Sequence, residues 1–528
     1  MAKRIAHHMQ KLKTLSQPIN LIFLIQIVVV FLVSFGTIDR FWILPLAALV
    51  ATFVLWTDLE TATTFFVRSV PFFVAIPFTE YFDSFNLWRI ASGLIFLRWF
   101  WKKEIWKKID LRGAFSLKKY PFSFFYIIFI AFSILSLAVA SDLFGAMKRV
   151  IYILNLSLIA PVIYELVKSK EGYTKELLKN ILISVILVAG VALAQIFSSY
   201  LVTIYDFMAV WGEQIQLAFY GSEWADTVIH SNTWFAYYGP QLSLRVFSTF
   251  PDSHSFPVYL LLTIPALLAF SLHRIFSKEP KSFKKATHIR ASMLITLLPL
   301  FYLLAILSGT RGIWLAVLSP LIAAPLAWRY LKSVEAKNIL KYCLVLLVIF
   351  PVLFTVAYPV FTSSQFQIPK EDSALFAKRL RSILDLDETS NSSRIVIWKK
   401  TLESIKKNPL LGVGIGNYPV VLSQETEYAK AGSSAHNLYL HIAAEIGILG
   451  LIAVLGMLWI IFKRGLAVAS NHQDIFIKIF AIGFLIYATW VLFYNLTDAI
   501  LFDERAFLIF AVNAAIILGL NKKNSANG

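Results

Sequence analysis

Apolar runs separated by short polar or basic connections occupy most of the chain. An α-helix needs about 20 apolar residues to cross the ~30 Å hydrocarbon layer of a bilayer. Runs of that length, or close to it, predict an all-α, polytopic membrane helical bundle with about 12–14 transmembrane helices. The runs lie at about 19–36, 41–57, 62–79, 87–101, 121–141, 148–168, 179–200, 255–273, 290–308, 312–330, 340–360, 437–462, 474–495 and 503–519.

Two long polar segments divide these runs into groups. The first is rich in aromatic and acidic residues, and the second contains amphipathic patterns at 374–384 and 394–405 that predict helices. The early runs are the least regular, because Arg68 interrupts one of them and another is short. We expect N-terminal transmembrane helices over 1–200, an extracytoplasmic aromatic-rich loop over 201–254, central transmembrane helices over 255–360, a large extracytoplasmic loop over 361–435, and C-terminal transmembrane helices with a short cytoplasmic tail over 436–528.

The composition excludes a soluble protein. Hydrophobic residues make up 58% of the 528 residues and charged residues 15%, with a mean hydropathy of +0.69. The formal net charge of +18 comes mostly from Lys and Arg in alternate connections, which predicts a positive-inside topology with a cytoplasmic N-terminus. Arg40, Lys148 and Arg149 are exceptions on the outer side. Topology therefore accounts for most of the positive charge, and no nucleic-acid partner is predicted.

Four basic side chains are predicted on the outer face: Arg245, Arg311, Arg394 and His436. Arg311 lies in a five-residue connection where charge bias disfavours an arginine. Structural roles remain open, since Arg311 could cap a helix, Arg394 could face solvent on an interfacial helix, and Arg245 could pair with a loop acid. Together the arginines suit a diphosphate, because a guanidinium binds phosphate oxygens through paired hydrogen bonds. A diphosphate at this surface suggests a polyprenyl-diphosphate sugar carrier.

The stretch from Ser433 onward closes the longest polar segment and opens an apolar run. Ser433 and Ser434 are predicted N-cap residues, which would place His436 and Asn437 in the first helical turn. His436 could be a capping or hydrogen-bonded interfacial residue. Alternatively, it could be a general base that takes a proton from a sugar hydroxyl, since an imidazole has an ordinary pKa of about 6.5.

Other polar patterns carry less information. His441 and Glu445 lie four residues apart on one helical face and are expected to satisfy each other inside the bundle. The glycines of 412–416 are not followed by Gly-Lys-Ser/Thr, as a phosphate loop would require, and are expected to form a turn. Gly447 and Gly450 are expected to let a neighbouring helix approach closely. Two acid-containing pairs are too small to indicate a metal site: Asp252 with His254, and Asp503 with Glu504.

His436-Asn437, followed after nine residues by Gly-Ile-Leu-Gly, resembles a signature of the O-antigen ligase and O-antigen polymerase family of bacterial membrane glycosyltransferases. Segments 245–251, 308–312 and 394–419 resemble the family's other motifs in the same order. The last of these contains Arg-x-x-x-Trp and Pro-Leu-Leu-Gly-Val-Gly-x-Gly-Asn. The resemblance covers about 245–462, whereas the N-terminal half matches only in being hydrophobic helices.

This resemblance implies a GT-C-like, all-helical fold with a large extracytoplasmic loop before the helix that carries His436. It also implies a metal-independent, inverting glycosyltransferase that uses no cofactor. Matched residue by residue, Arg311 and Arg394, together with Arg245, would bind the diphosphate. His436 would be the catalytic base, with Asn437 in a secondary role. The chain departs from the family in having up to two more predicted spans than the usual twelve.

The sequence thus predicts an O-antigen ligase/polymerase-type enzyme in the bacterial cytoplasmic (inner) membrane, with its active site facing the periplasm or outside. The expected donor is an undecaprenyl-diphosphate-linked glycan, and the acceptor is lipid A core or a growing surface polysaccharide. The alternative is a polytopic transporter or flippase of lipid-linked oligosaccharide. Four aromatics of the first polar segment could stack on sugar faces, although most of them are expected to form a membrane-interface belt. They are Trp211, Trp224, Trp234 and Tyr237.

Overall fold

The computed structural model describes residues 17–79, 83, 85–108, 110–230, 233–238, 241–276, 295–368, 389–423 and 434–520. These residues form a bundle of helices with two short two-stranded antiparallel sheets. The predicted all-α polytopic class is confirmed. The predicted amphipathic helix at 374–384 lies outside the described residues, whereas the pattern at 394–405 lies within a helix that runs from Thr389 to Lys407.

The elements of the first half follow in chain order. They are α1 (Pro18–Ser34), α2 (Ile43–Trp56), α3 (Leu59–Ser69), β1 (Ala75–Ile76), β2 (Phe85–Asn86), α4 (Leu87–Lys102), α5 (Ile105–Lys108), α6 (Leu111–Ala114), α7 (Pro121–Leu135), α8 (Leu143–Ser157), α9 (Ile159–Ser169), α10 (Tyr173–Ser198), α11 (Ile204–Phe207), α12 (Ile215–Tyr220), α13 (Ser222–His230), β3 (Phe235–Tyr238) and β4 (Gln241–Leu244).

All regular elements in the described part of the second half are helices. Its elements are α14 (Ser255–Phe276), α15 (Leu297–Leu307), α16 (Arg311–Ala316), α17 (Leu318–Tyr330), α18 (Val334–Leu347), α19 (Ile349–Val352), α20 (Phe354–Thr362), α21 (Thr389–Lys407), α22 (Leu438–Asn471), α23 (Ile475–Tyr494) and α24 (Glu504–Gly519). Short 3₁₀ turns lie at Arg40–Trp42, Val70–Phe72, Ser136–Val139, Tyr418–Leu422 and Ile500–Phe502.

Among the described residues, eight helical segments are long and apolar enough to cross a membrane, so the chain is an integral membrane protein. Three shorter apolar helices accompany them: Pro18–Ser34, Arg40–Trp56 and Leu297–Leu307. All the apolar runs of the sequence overlap helices. The eight segments are nevertheless fewer than the predicted 12–14 spans, because several runs form helices shorter than 18 residues. The eight are Pro121–Val139, Leu143–Ser169, Tyr173–Ser198, Ser255–His273, Arg311–Tyr330, Val334–Thr362, Leu438–Asn471 and Ile475–Tyr494.

The run at 62–79 differs most from the prediction. Helix α3 ends at Ser69, a 3₁₀ turn follows, and the chain then becomes extended and pairs β1 with β2. Arg68, which interrupts the run, is buried and donates to the side-chain oxygens of Asn180 at 2.6 Å and Asn20 at 2.7 Å. An arginine with amide partners is tolerated inside a bundle because its donors are satisfied.

Helices α14 and α23 form the centre of the bundle. Within their most apolar windows 94% and 89% of the residues are buried, against 11% for the segment Pro121–Val139. A helix that is hydrophobic all round and buried belongs to a core, whereas one with exposed apolar side chains faces lipid. Gly483 of α23 allows the close approach, since a Cβ there would lie 3.1 Å from the Cα of Pro265 in α14.

The segment predicted as an aromatic-rich loop over 201–254 is folded in its described part. It contains α11, a π-helical stretch at Met208–Gln214, α12 and α13, followed by the β3–β4 hairpin. The hairpin pairs Phe235 with Leu244. Side chains of this segment, among them Phe207 and Trp234, pack into the main core of the bundle.

Helix α22 is interrupted at Gly447, which has φ 80° and ψ 173°. A Cβ at this position would lie 2.0 Å from the carbonyl oxygen of Leu410. The break frees the carbonyls of Ala444 and Glu445, and these accept from the N–H groups of Val413 at 2.9 Å and Gly414 at 3.0 Å. The segment that closely approaches Gly447 is therefore the turn after α21. The prediction that a neighbouring helix approaches there is wrong.

The exceptions to the positive-inside pattern have local partners. Arg40 forms an ion pair with Asp83 and also donates to the Asp83 carbonyl at 2.8 Å. Burial opposes ionisation of Asp83, but hydrogen bonds from Arg40 and Ser222 outweigh it and lower the pKa of this carboxyl. The guanidinium of Arg149 stacks 4.9 Å from the ring centroid of Phe502. Local pairing and stacking thus explain basic residues that topology would not place here.

Candidate functional site

His436 lies two residues before Leu438, the first residue of helix α22. The N-cap is Asn437, whose side-chain oxygen accepts from the N–H groups of Tyr439 and Leu440, both at 3.0 Å. The prediction that Ser434 caps this helix, with His436 in its first turn, is wrong, and Ser433 lies outside the described residues. The cap falls later because Asn437 is extended while His436 has a left-handed φ of 44°.

Two elements hold the backbone around His436. The N–H of Leu438 donates to the carbonyls of Asn495 at 2.9 Å and Asp498 at 3.0 Å, in the turn after α23. The indole of Trp398 in α21 donates to the Ala435 carbonyl at 2.9 Å. The histidine is therefore positioned on a fixed backbone between α21 and the end of α23.

Arg245 follows β4, and its side chain crosses to the turn between α15 and α16. Its Nε donates to the Ser308 carbonyl at 3.1 Å, and its Nη2 donates to the Thr310 hydroxyl at 3.4 Å. Nη2 also lies 3.3 Å from Nε2 of His254. Segments 245–251 and 308–312, which the sequence treated as separate motifs, are thus joined through one guanidinium.

Arg311 is the first residue of α16 and is partly exposed. Its neighbour Gly312 packs against α23, since a Cβ there would lie 2.7 Å from Tyr494 Cε2 and 2.7 Å from Thr497 Oγ1. Thr310, on the other side, contacts Arg245. Arg311 therefore begins its helix beside the contacts that surround Arg245 and Tyr494.

Arg394 lies in the first half of α21 and is also partly buried. Burial is the main cause that lowers the pKa of the His436 imidazole. Asp498 opposes this, but the charges of Arg394, His254 and His441 lower the pKa further. The positive charge of Arg394 thus contributes to the lowered pKa of His436. A histidine with a lowered pKa is neutral at neutral pH and can accept a proton.

The structure adds three residues that the sequence did not select: His254, Tyr494 and Asp498. Nδ1 of His254 lies 2.9 Å from Oδ2 of Asp498 and 2.8 Å from the Tyr494 hydroxyl oxygen, and that hydroxyl donates to Oδ2 at 2.7 Å. Burial opposes ionisation of Asp498, but His254, His436 and the Tyr494 hydroxyl hold the pKa of this carboxyl well below its usual range. Asp252-Ser-His254 was visible in the sequence, but only as an incomplete metal pattern.

Asp252, the acid beside this histidine, has a structural task. Its Oδ1 accepts from the backbone N–H groups of His254 at 2.8 Å and Ser255 at 2.7 Å, and from the Ser255 hydroxyl at 2.9 Å. It therefore fixes the turn that starts α14 and presents His254. In the part of the chain that the structure describes, no three His, Cys, Asp or Glu side chains are placed to share a metal ion.

The prediction that His441 and Glu445 satisfy each other inside the bundle is confirmed. Nε2 of His441 lies 3.2 Å from Oε1 of Glu445, and Tyr418 stacks on the imidazole with ring centroids 4.4 Å apart. Glu445 also accepts from the Tyr418 N–H at 3.2 Å. Phe502 closes the other side at 4.8 Å between ring centroids.

The four aromatic candidates divide by exposure. Trp211 and Trp234 are buried, and the Trp234 indole donates to the Pro251 carbonyl at 2.8 Å, so both belong to the core and the idea that they stack on sugars is wrong. Trp224 and Tyr237 are exposed. Only the latter two present an aromatic face to a ligand or a membrane surface.

The comparisons with known proteins bear on the C-terminal part of this arrangement. Residues 294–455 match the model of a protein family described as O-Antigen ligase, which confirms the predicted resemblance over that range. The match includes Arg311, Arg394 and His436, whereas Arg245, His254 and Asp498 lie outside it. No curated protein matches the chain.

Proposed function

We propose that this integral membrane protein, which carries an O-antigen ligase match over residues 294–455, is a metal-independent inverting glycosyltransferase of the ligase or polymerase type. It transfers an oligo- or polysaccharide from undecaprenyl diphosphate to an acceptor glycan, either lipid A core or a growing surface polysaccharide. The reaction takes place at the outer face of the cytoplasmic membrane.

One observation carries the proposal: a histidine with a lowered pKa lies within the field of Arg394 on a backbone that also contacts the Asp498 turn. A neutral imidazole can take the proton of an acceptor hydroxyl as its oxygen attacks the anomeric carbon. Arginines nearby can bind the diphosphate and stabilise the charge that develops as it leaves. Base and leaving-group stabilisation are the two functions this transfer requires.

The roles divide among named groups. His436 accepts the hydroxyl proton, the new glycosidic bond forms as the bond to the diphosphate oxygen breaks, and the diphosphate departs with the electron pair. Arg311, Arg394 and Arg245 hold its oxygens. Because attack and departure take place on opposite faces of the anomeric carbon, a single displacement inverts its configuration. Asn437 supports the base indirectly by capping α22 beside it.

A reconstitution assay tests this proposal. Purified protein in liposomes is supplied with an undecaprenyl-diphosphate-linked oligosaccharide and with either a lipid A core or a second carrier-linked glycan, and the products are analysed by mass spectrometry. A new glycosidic bond supports the proposal, and the acceptor that is used separates ligase from polymerase. Movement of the donor across the bilayer without a new bond would instead support a flippase and contradict the proposal.

A further inference from the structure

We propose that His254 is a positioning residue of the candidate site: held by Asp498 and Tyr494, it presents an unprotonated Nε2 that fixes the guanidinium of Arg245. This inference rests on the proposed function, because the task of Arg245 there is to bind diphosphate. It assigns a role to a histidine that lies outside the O-antigen ligase match.

The first step concerns the proton on the imidazole. Nδ1 of His254 lies 2.9 Å from Oδ2 of Asp498, a carboxyl whose pKa is held below its usual range and which is therefore ionised. An ionised carboxylate only accepts, so the ring proton of a neutral His254 resides on Nδ1. Tyr494 orients the same oxygen by donating to it at 2.7 Å.

The second step concerns the opposite ring nitrogen. With the proton on Nδ1, Nε2 carries a lone pair, and Nη2 of Arg245 lies 3.3 Å from it. A guanidinium has donors only, so this contact requires an accepting nitrogen. Asp498 thus determines, through the tautomer of His254, whether Arg245 finds an acceptor or a second donor.

The third step concerns the geometry of Arg245. Its guanidinium also donates to the Ser308 carbonyl and the Thr310 hydroxyl, and both of these residues belong to the single turn that precedes Arg311. His254 supplies a contact from a different element, the start of α14. A planar group held from two sides keeps one orientation, which lowers the entropy lost when it binds a ligand.

A double-mutant cycle on donor binding tests the proposal. The affinity of the purified protein for undecaprenyl diphosphate in detergent micelles is measured for the wild type, His254→Phe, Arg245→Ala and the double variant. We expect each single change to weaken binding about tenfold, and the double variant to bind no more weakly than Arg245→Ala alone. If the two losses multiply, His254 does not act through Arg245 and the proposal is overturned.

Two conservative variants separate positioning from structural support. Asp498→Asn keeps the shape but donates to Nδ1, which moves the ring proton to Nε2, where it faces the Arg245 N–H. We expect about a tenfold loss of affinity in the wild-type background and no further loss with Arg245→Ala. His254→Gln keeps an accepting oxygen and should bind within about threefold of the wild type. Failure of both expectations would overturn the proposal even if His254→Phe does not fold.

A matched control and the glycan-transfer assay distinguish the possible failures. His472→Phe changes a histidine in the connection between α22 and α23, at the other end of those helices, and should leave the affinity unchanged. If the wild type does not bind undecaprenyl diphosphate, the diphosphate part of the proposed function and this inference both fail. If the wild type binds and transfers glycan but the losses multiply, only the role of His254 fails.

Discussion

Two histidine–carboxylate pairs lie near the same end of the bundle, yet they are built differently. His441 and Glu445 are one helical turn apart in α22 and nearly inaccessible, with side chains 7% and 6% exposed. His254 and Asp498 come from the start of α14 and the turn after α23, and their side chains are 23% and 15% exposed. The first pair is enclosed between Tyr418 and Phe502, whereas the second contacts Arg245.

The difference shows that a histidine–carboxylate pair can stabilise helix packing in one place and form part of a candidate site in another. A fully buried pair satisfies its own polar atoms and joins α22 to the turn at Tyr418, so its loss should reduce stability. A partly exposed pair beside an arginine remains accessible to a ligand, so its loss should alter binding. The pKa of His436 is influenced by both pairs, since Asp498 raises it and His441 lowers it.

The largest expected effect follows from substitution of His436, because this tests whether the partly exposed site carries out chemistry. His436→Ala removes the base, and we expect the kcat of glycan transfer to fall by about 10²–10⁴-fold while donor affinity stays within a few-fold of the wild type. Quantified product formation by the liposome-reconstituted protein, together with donor binding, measures both. A variant that transfers glycan at the wild-type rate would remove the proposed mechanism.

The second prediction concerns the enclosed pair. Glu445→Ala leaves the buried His441 imidazole and the Tyr418 N–H without their partner, and we expect the free energy of unfolding to fall by about 3 kcal/mol. Thermal unfolding of the detergent-purified protein measures the loss as a lower melting temperature. The matched control is Glu403→Ala in α21, an exposed acid that should cost less than about 0.5 kcal/mol. Equal losses for the two variants would contradict the contrast between the pairs.

The third prediction concerns the arginines. Arg311→Ala and Arg394→Ala each remove a charged donor of the proposed diphosphate site, and we expect the KM for the donor to rise about 10- to 100-fold in each. Lys399→Ala removes an exposed positive charge from the same helix as Arg394 and should leave KM unchanged. Steady-state kinetics across donor concentrations measure these values. Unchanged KM in both arginine variants would exclude them from donor binding.

The smallest expected effect is a shift of the pH profile. The pKa of His436 is lowered from 6.5, so the imidazole stays neutral, and transfer persists, below that pH until the ring becomes protonated. Arg394→Gln removes a nearby positive charge and should raise this pKa, which moves the acid limb of kcat to higher pH. Lys399→Gln serves as the control. An acid limb that stays in place, or moves to lower pH, would contradict direct coupling between Arg394 and His436.

Sequence patterns located the bundle, His441 with Glu445 and the four basic candidates because each of these signals is local. A helical pair is read from a spacing of four, and a span from about 20 apolar residues. The cap of α22 was misplaced because Ser434 and Asn437 are both good caps, and only the backbone conformation at His436 chooses between them. Trp234 was misread because aromatic residues in a polar segment can equally well pack into the core, as this one does.

The sequence alone determined the membrane bundle, the resemblance to O-antigen ligases and the candidate residues that carry it. Apolar run lengths and short motifs can be recognised in a sequence without knowing how the helices pack. Only the tertiary structure decided which polar groups meet. His254, Tyr494 and Asp498 gain their roles from the ends of α14 and α23, which lie far apart in the chain and become neighbours only through close helix packing. The spacing of residues along the chain cannot predict such a contact, because it depends on how the core packs.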